Sequence, residues 1–160
     1  MAYTLQALIA RDEVLKVIAE QNALIVIVPL KQNLHMIPIG TALQKSLDDG
    51  KLTIQFHEEH PFHRLYGAIK TSVLNASLVG RIAYVEAEFF GGMGYQSAVL
   101  WEAGKAILGP FLAQNLPLRE MPINRVLREM GVQTIDEMDE FDTLGLGLYR
   151  YTDQWLPTTI

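Results

Sequence analysis

The chain of 160 residues contains no cysteine. That excludes thiolate catalysis, disulfide bonds and cysteine-ligated zinc together. Basic charge is sparse, with 13 Lys and Arg against 18 Asp and Glu and a net charge of −5. Proteins that hold phosphate backbones present a basic face, because each neutralised phosphate releases counterions. No basic run exists here, Arg125 and Arg128 being an isolated pair, so nucleic acid is not an expected partner. Long hydrophobic runs are also missing. The longest, ALIVIVPL (Ala23 to Leu30), is well short of the ~20 residues that span a bilayer, so no membrane partner is expected. The opening MAYTLQALIARDE has no basic region ahead of a sustained apolar one, so it does not read as a signal peptide, and a cytoplasmic protein is expected.

Hydrophobic residues make up 49% of the chain, ample for one core, and single domains cluster near this length. A single α+β domain over 1–160 is expected, with 145–160 as an irregular C-terminal tail. Its sheet is expected to be mixed, with an antiparallel hairpin or meander in the second half and helices packed on at least one face. YTLQALIA reads as a strand and RDEVLKVIAEQN as a helix capped by Asp12, with Val14, Val17 and Ile18 at helical spacing. ALIVIVPL, apolar throughout, suits a strand covered on both faces. The three suggest a right-handed βαβ crossover, with an antiparallel return as the alternative because the helix is short. LHMIPI reads as a further strand near an edge, since Pro38 lacks a donor. TALQKSLDDG carries a capping-box pattern, Thr41 with Gln44, and Gly50 at the C-cap, and KLTIQFH then alternates. Apolar positions from Phe62 to Ala76 predict a helix over 61–78, and Pro122 followed by Ile123, Val126, Leu127 and Met130 predicts another, closed by Gly131. TIDEMDEFDTLG predicts a short helix with a capping box of Thr134 and Glu137.

RIAYVEAEFF and YQSAVLW, separated by GGMG, predict a hairpin, and AILGPF adds a third strand. With GGMG as a four-residue loop, Phe90 opposes Tyr95, Glu88 opposes Ser97, Glu86 opposes Val99 and Tyr84 opposes Trp101. Alternation then gathers Tyr84, Glu86, Glu88, Phe90, Tyr95, Ser97 and Trp101 on one surface of carboxylates and aromatics. Such a composition suits a protein interface, where tyrosine and tryptophan are enriched.

Other constellations carry less. HEEHPFH holds His57, His60 and His63 with Glu58 and Glu59, a conceivable metal site. The zinc-protease spacing of two histidines four apart is missing, and Pro61 breaks a helix running through them, so a polar strand-to-helix corner is the default. Gly91, Gly92 and Gly94 stand between strands, not between a strand and a helix as in phosphate loops. Ser97 lies in a strand with no GxSxG elbow around it. The acids Asp136, Glu137, Asp139, Glu140 and Asp142 lack the calcium-loop order and read as a solvated helix face. Since every catalytic motif fails on spacing or context, the expected function is a non-enzymatic binding module for protein partners or self-association, without cofactor. It would use the Glu86/Glu88 face, the acidic helix, or the tail aromatics Tyr149, Tyr151 and Trp155. The alternatives are a metal-assisted hydrolase joining His57, His60 or His63 to Glu86 or Glu88, and a small-ligand pocket lined by Tyr84, Trp101 and His35.

Overall fold

The computed structural model describes residues 2–47, 62 and 67–158. Six strands form one sheet: β1 (Tyr3–Ala10), β2 (Val28–Pro29), β3 (His35–Pro38), β4 (Ile82–Phe90), β5 (Met93–Glu102) and β6 (Lys105–Ala113), in the order β2-β3-β1-β4-β5-β6. Among the described residues every pairing is antiparallel, where a mixed sheet was expected, while the α+β class and the second-half meander β4-β5-β6 are as expected.

The parallel crossover fails because ALIVIVPL is not a long strand. The Asn22 side chain accepts a hydrogen bond from the Leu24 amide at 2.9 Å, which turns the chain, and Leu24 is exposed. Only Val28–Pro29 joins the sheet, at its edge, while Ile25 and Ile27 pack half-buried on the core. The chain then reverses, and β3 returns antiparallel to β1. Pro38 falls at the last position of β3.

Helices cover both faces. On one lie α1 (Asp12–Ala19), α2 (Thr41–Leu47) and α3 (Gly67–Ala76), burying Val14, Leu15, Ile18, Leu43, Ile69 and Val73 against Leu8, Ile82, Tyr84, Val99 and Trp101. On the other lie α4 (Pro122–Glu129) and α5 (Glu140–Leu144), whose Ile123, Val126, Leu127 and Leu144 meet Leu5, Ala7, Val85, Ala98 and Leu100. Odd and even positions of β1 therefore feed two separate cores, which is why the strand reads as nearly continuous apolar sequence.

Three expected caps are formed differently. Arg11, not Asp12, is the N-cap of α1; Asp12 is its first residue and pairs with Lys16 at 2.7 Å. At α2 the Thr41–Gln44 box is replaced by a residue distant in sequence: Asp153 accepts from the Thr41 amide at 2.8 Å and from its hydroxyl at 2.7 Å. At α5 the cap is Asp139, which accepts from the Asp142 amide at 2.8 Å, so the helix starts after the Thr134–Glu137 pattern. Nor are the acids uniformly solvated: Glu140 is buried and pairs with Arg128 at 2.8 Å. Burial and the neighbouring Asp139 hold the Asp142 carboxyl above its ordinary range, and burial together with the Asp142 charge holds the Tyr3 phenol higher still above its own.

Gly50, KLTIQFH and all of HEEHPFH except Phe62 lie outside the described residues, as does much of the first half of the helix predicted over 61–78. The described part, α3, falls within that range. Helix α4 begins at Pro122 as predicted, and Gly131 follows it with φ of +96°.

Candidate functional site

The β4–β5 turn contains two residues, not four. Gly91 and Gly92 have φ of +61° and +81°, the backbone of a tight type I′ hairpin turn. Phe90 therefore opposes Met93, Glu88 opposes Tyr95, Glu86 opposes Ser97, Tyr84 opposes Val99 and Ile82 opposes Trp101. The expected register is wrong by two residues. Because the pleat repeats every two residues, the slip leaves each side chain on its expected face.

That face is largely interior. Tyr84 and Ser97 are 0% exposed, Glu86 1% and Trp101 5%. Phe62 stacks edge-on against Tyr84, their centroids 5.1 Å apart. Of the seven predicted surface residues, Glu88 and Phe90 are exposed and Tyr95 is half-buried. What the sequence reads as one open surface is a buried apolar field, a polar band beside it, and an exposed hairpin tip.

Three rows across the central strands define that band. Leu8, Tyr84 and Val99 form an apolar row; Gln6, Glu86 and Ser97 form the next; Thr4, Glu88 and Tyr95 form the third. The middle row is buried across all three strands, at 8%, 1% and 0% exposure. Burying a carboxylate costs several kcal/mol unless charge or hydrogen bonds compensate it. Tyr84 supplies part of this, its hydroxyl donating to Glu86 Oε1 at 2.7 Å.

Above the polar rows the structure leaves a cavity of about 300 Å³. Its floor is Gln6, Glu86 and Thr152, and its opening is bounded by Glu88, Thr41, Tyr151 and Asp153. Two further elements complete it. The first turn of α2 contributes Gln44, whose amide nitrogen donates to Gln6 Oε1 and, at 3.0 Å, to the Ile39 carbonyl. The 3-10 turn Thr152–Trp155 closes the remaining side. Here the Thr4 amide donates to the Arg150 carbonyl at 2.8 Å, and the Gln6 amide to Thr152 Oγ1 at 3.1 Å. The tail thus satisfies the part of the β1 edge that β3 does not reach. At Gly40 a β-carbon would stand 2.3 Å from Asp153 Oδ1, so a larger residue there would push the Asp153 side chain away from Thr41.

The pocket expected around Tyr84, Trp101 and His35 is not assembled in that form. His35 and Trp101 belong to the far row, where Ala10 pairs with both His35 and Ile82, and Ile82 pairs with Trp101. His35 is half-buried in β3. The cavity opens at the other end of β1. The sequence marks Gln44 only as a helix-capping residue, and it does not single out Thr4, Gln6, Thr152 or Asp153. A signal existed in β1, where Thr4 and Gln6 are the polar residues at alternate positions, as Glu86 and Glu88 are in β4.

Among the described residues no group of three or more histidines and acids converges as metal ligands would. Among those residues, too, no helix is long and apolar enough to cross a membrane. Comparison of the chain with protein-family models, with curated proteins and with solved structures finds no match.

Proposed function

We propose that the protein is a non-enzymatic binding module for protein partners, engaged through the end of the sheet where the β4–β5 turn projects. One observation carries this reading: Phe90 and Met93, paired across the turn, are 78% and 80% exposed. Two large apolar side chains paired across a two-glycine turn and this exposed contribute little to either core. They suit an anchor that is buried on association, methionine adapting to the partner's shape. Leu148 and Tyr151 add exposed apolar surface nearby, since Arg150 is bonded to Thr4 and Thr4 opposes Glu88. Glu86 is withdrawn from that surface by its burial, leaving Glu88 as the accessible carboxylate.

Joint replacement of Phe90 and Met93 by serine is expected to leave thermal stability within about 0.5 kcal/mol per site, as exposed substitutions do. Association of the chain with itself or with proteins captured from cell extract is expected to disappear. Sedimentation and affinity capture read both, and association that persists in the double variant would sink this reading.

A metal-assisted hydrolase joining His57, His60 or His63 to Glu86 or Glu88 is a second reading, favoured by one contact. Phe62, which lies between His60 and His63 in sequence, rests on Tyr84, and Tyr84 donates to Glu86. Native mass spectrometry of untagged protein purified without chelator tests it. The reading expects one divalent ion per chain, lost when His57 and His60 are both changed to alanine; a metal-free mass removes it.

A further inference from the structure

We propose that Met93 is an oxidation site at which a hydroperoxide switches the hairpin tip from apolar to polar. The effect on association rests on the partner-binding reading, whereas the site itself rests on exposure and sulfur chemistry.

The chain has six methionines and no cysteine. Thiolates ordinarily take a two-electron oxidant first, so here the thioethers are the sulfurs that meet it. The fold then separates one thioether from another. Met36 and Met121 are buried, Met130 is half-buried, Met138 is 37% exposed and Met93 is 80% exposed. Among the described methionines, Met93 is therefore the one presented almost fully to a dissolved oxidant.

Its position gives the reaction a consequence. Met93 stands directly opposite Phe90, and opposed residues of an antiparallel pair project to the same face. The two glycines set the turn through their positive φ, and Met93 belongs to neither core. Oxygen added to its sulfur thus alters the surface of the tip and leaves its backbone in place.

The step is an oxygen transfer. A lone pair of the thioether sulfur attacks one peroxide oxygen, the S–O bond forming as the O–O bond breaks. With hydrogen peroxide, the proton on the transferred oxygen passes to the departing hydroxide, which leaves as water. Sulfur gives up two electrons and the peroxide gains them. The sulfoxide is polar, and burying it in an interface without a donor carries a desolvation cost. Sulfoxide reductases, one for each epimer, restore the thioether at the expense of a thiol reductant. Association in turn covers Met93 and shields it from the oxidant.

Limited treatment of the intact chain with hydrogen peroxide, followed by peptide mapping in a mass spectrometer, tests the site. Met93 is expected to gain one oxygen roughly twofold or more faster than Met138, and roughly tenfold or more faster than Met36 and Met121, in line with exposure. The thermal midpoint is expected to stay unchanged. Retention on a phenyl matrix is expected to fall, self-association in sedimentation to weaken about tenfold, and sulfoxide reductase to restore both. Met93→Gln is expected to reproduce the oxidised state without peroxide. In Met93→Leu, whatever its starting level, peroxide is expected to change neither readout. Oxidation of Met36 or Met121 as fast as Met93, or unchanged phenyl retention after Met93 is oxidised, would overturn the proposal. So would association that the Phe90 and Met93 serine variant loses but oxidation leaves intact. Association that survives in both removes the partner-binding reading instead, and the fall in phenyl retention then upholds the switch at the tip.

Discussion

Leu8→Ala is expected to destabilise the protein by about 3–5 kcal/mol, the upper range for deleting a buried leucine side chain. Leu8 is 0% exposed and sits at the crossing of the two directions that hold the domain together. Along the sheet it lies between Ile37 of β3 and Tyr84 of β4, and perpendicular to the sheet it faces the helices of the α1–α3 layer. Backbone hydrogen bonds on both edges of β1 prevent the strand from collapsing into the space left, so the cavity term adds to the lost transfer energy. Denaturant unfolding followed by circular dichroism measures this as a lower midpoint at unchanged slope. Leu148→Ala, at a site 70% exposed, is the control and is expected to cost under about 0.5 kcal/mol. A loss below about 1 kcal/mol at Leu8 would mean that this face of the sheet is not the main core.

Gly94→Val is expected to cost about 3 kcal/mol or more, and to change the geometry of the hairpin tip as well. A β-carbon at Gly94 would lie 1.9 Å from the Glu88 carbonyl oxygen and 2.6 Å from the Phe89 Cα. Those are backbone atoms and cannot rotate away, so β5 must separate from β4 at the level of Tyr95. Gly92 differs in kind: its φ is +81° and nothing stands within 4 Å of an added β-carbon. Gly92→Ala is therefore expected to cost only about 1–2 kcal/mol, the strain of a left-handed backbone. Loss of the cross-strand contacts between Glu88 and Tyr95 in nuclear Overhauser spectra of Gly94→Val, with their retention in Gly92→Ala, is the expected pattern. On the proposed function, Gly94→Val also loses association, because Phe90 and Met93 are no longer held across the turn. Cross-strand contacts that survive unchanged in Gly94→Val would show that the hairpin tolerates the side chain.

Local signals were legible where one stretch of chain carries its own evidence. The strand Tyr3–Ala10, the helix beginning at Pro122 and the strand after Arg81 follow from period and punctuation that neighbouring residues supply. ALIVIVPL shows the limit. An uninterrupted apolar run fits a buried strand, and only the Asn22 side chain bonding to the Leu24 amide reveals a turn at its start. The caps were misread for a related reason. Thr41 and Gln44 have the spacing of a capping box, but each finds a better-placed partner in Asp153 or Gln6, which no local pattern can anticipate.

By itself the sequence determined the absence of thiol chemistry, the α+β class, and the set of side chains sharing a face of the β4–β5 hairpin. Alternation assigns faces, and it survived a two-residue error in register because the pleat has that period. Only the tertiary structure decided whether that face is inside or outside. Parity says which residues stand together and nothing about what is packed on them. Helices α1–α3 bury Tyr84 and Trp101, while Gln44, Thr152 and Asp153 turn the polar end of the same face into a cavity. Those residues come from opposite ends of the chain, and long-range hydrogen bonds between β1, α2 and the tail bring them together.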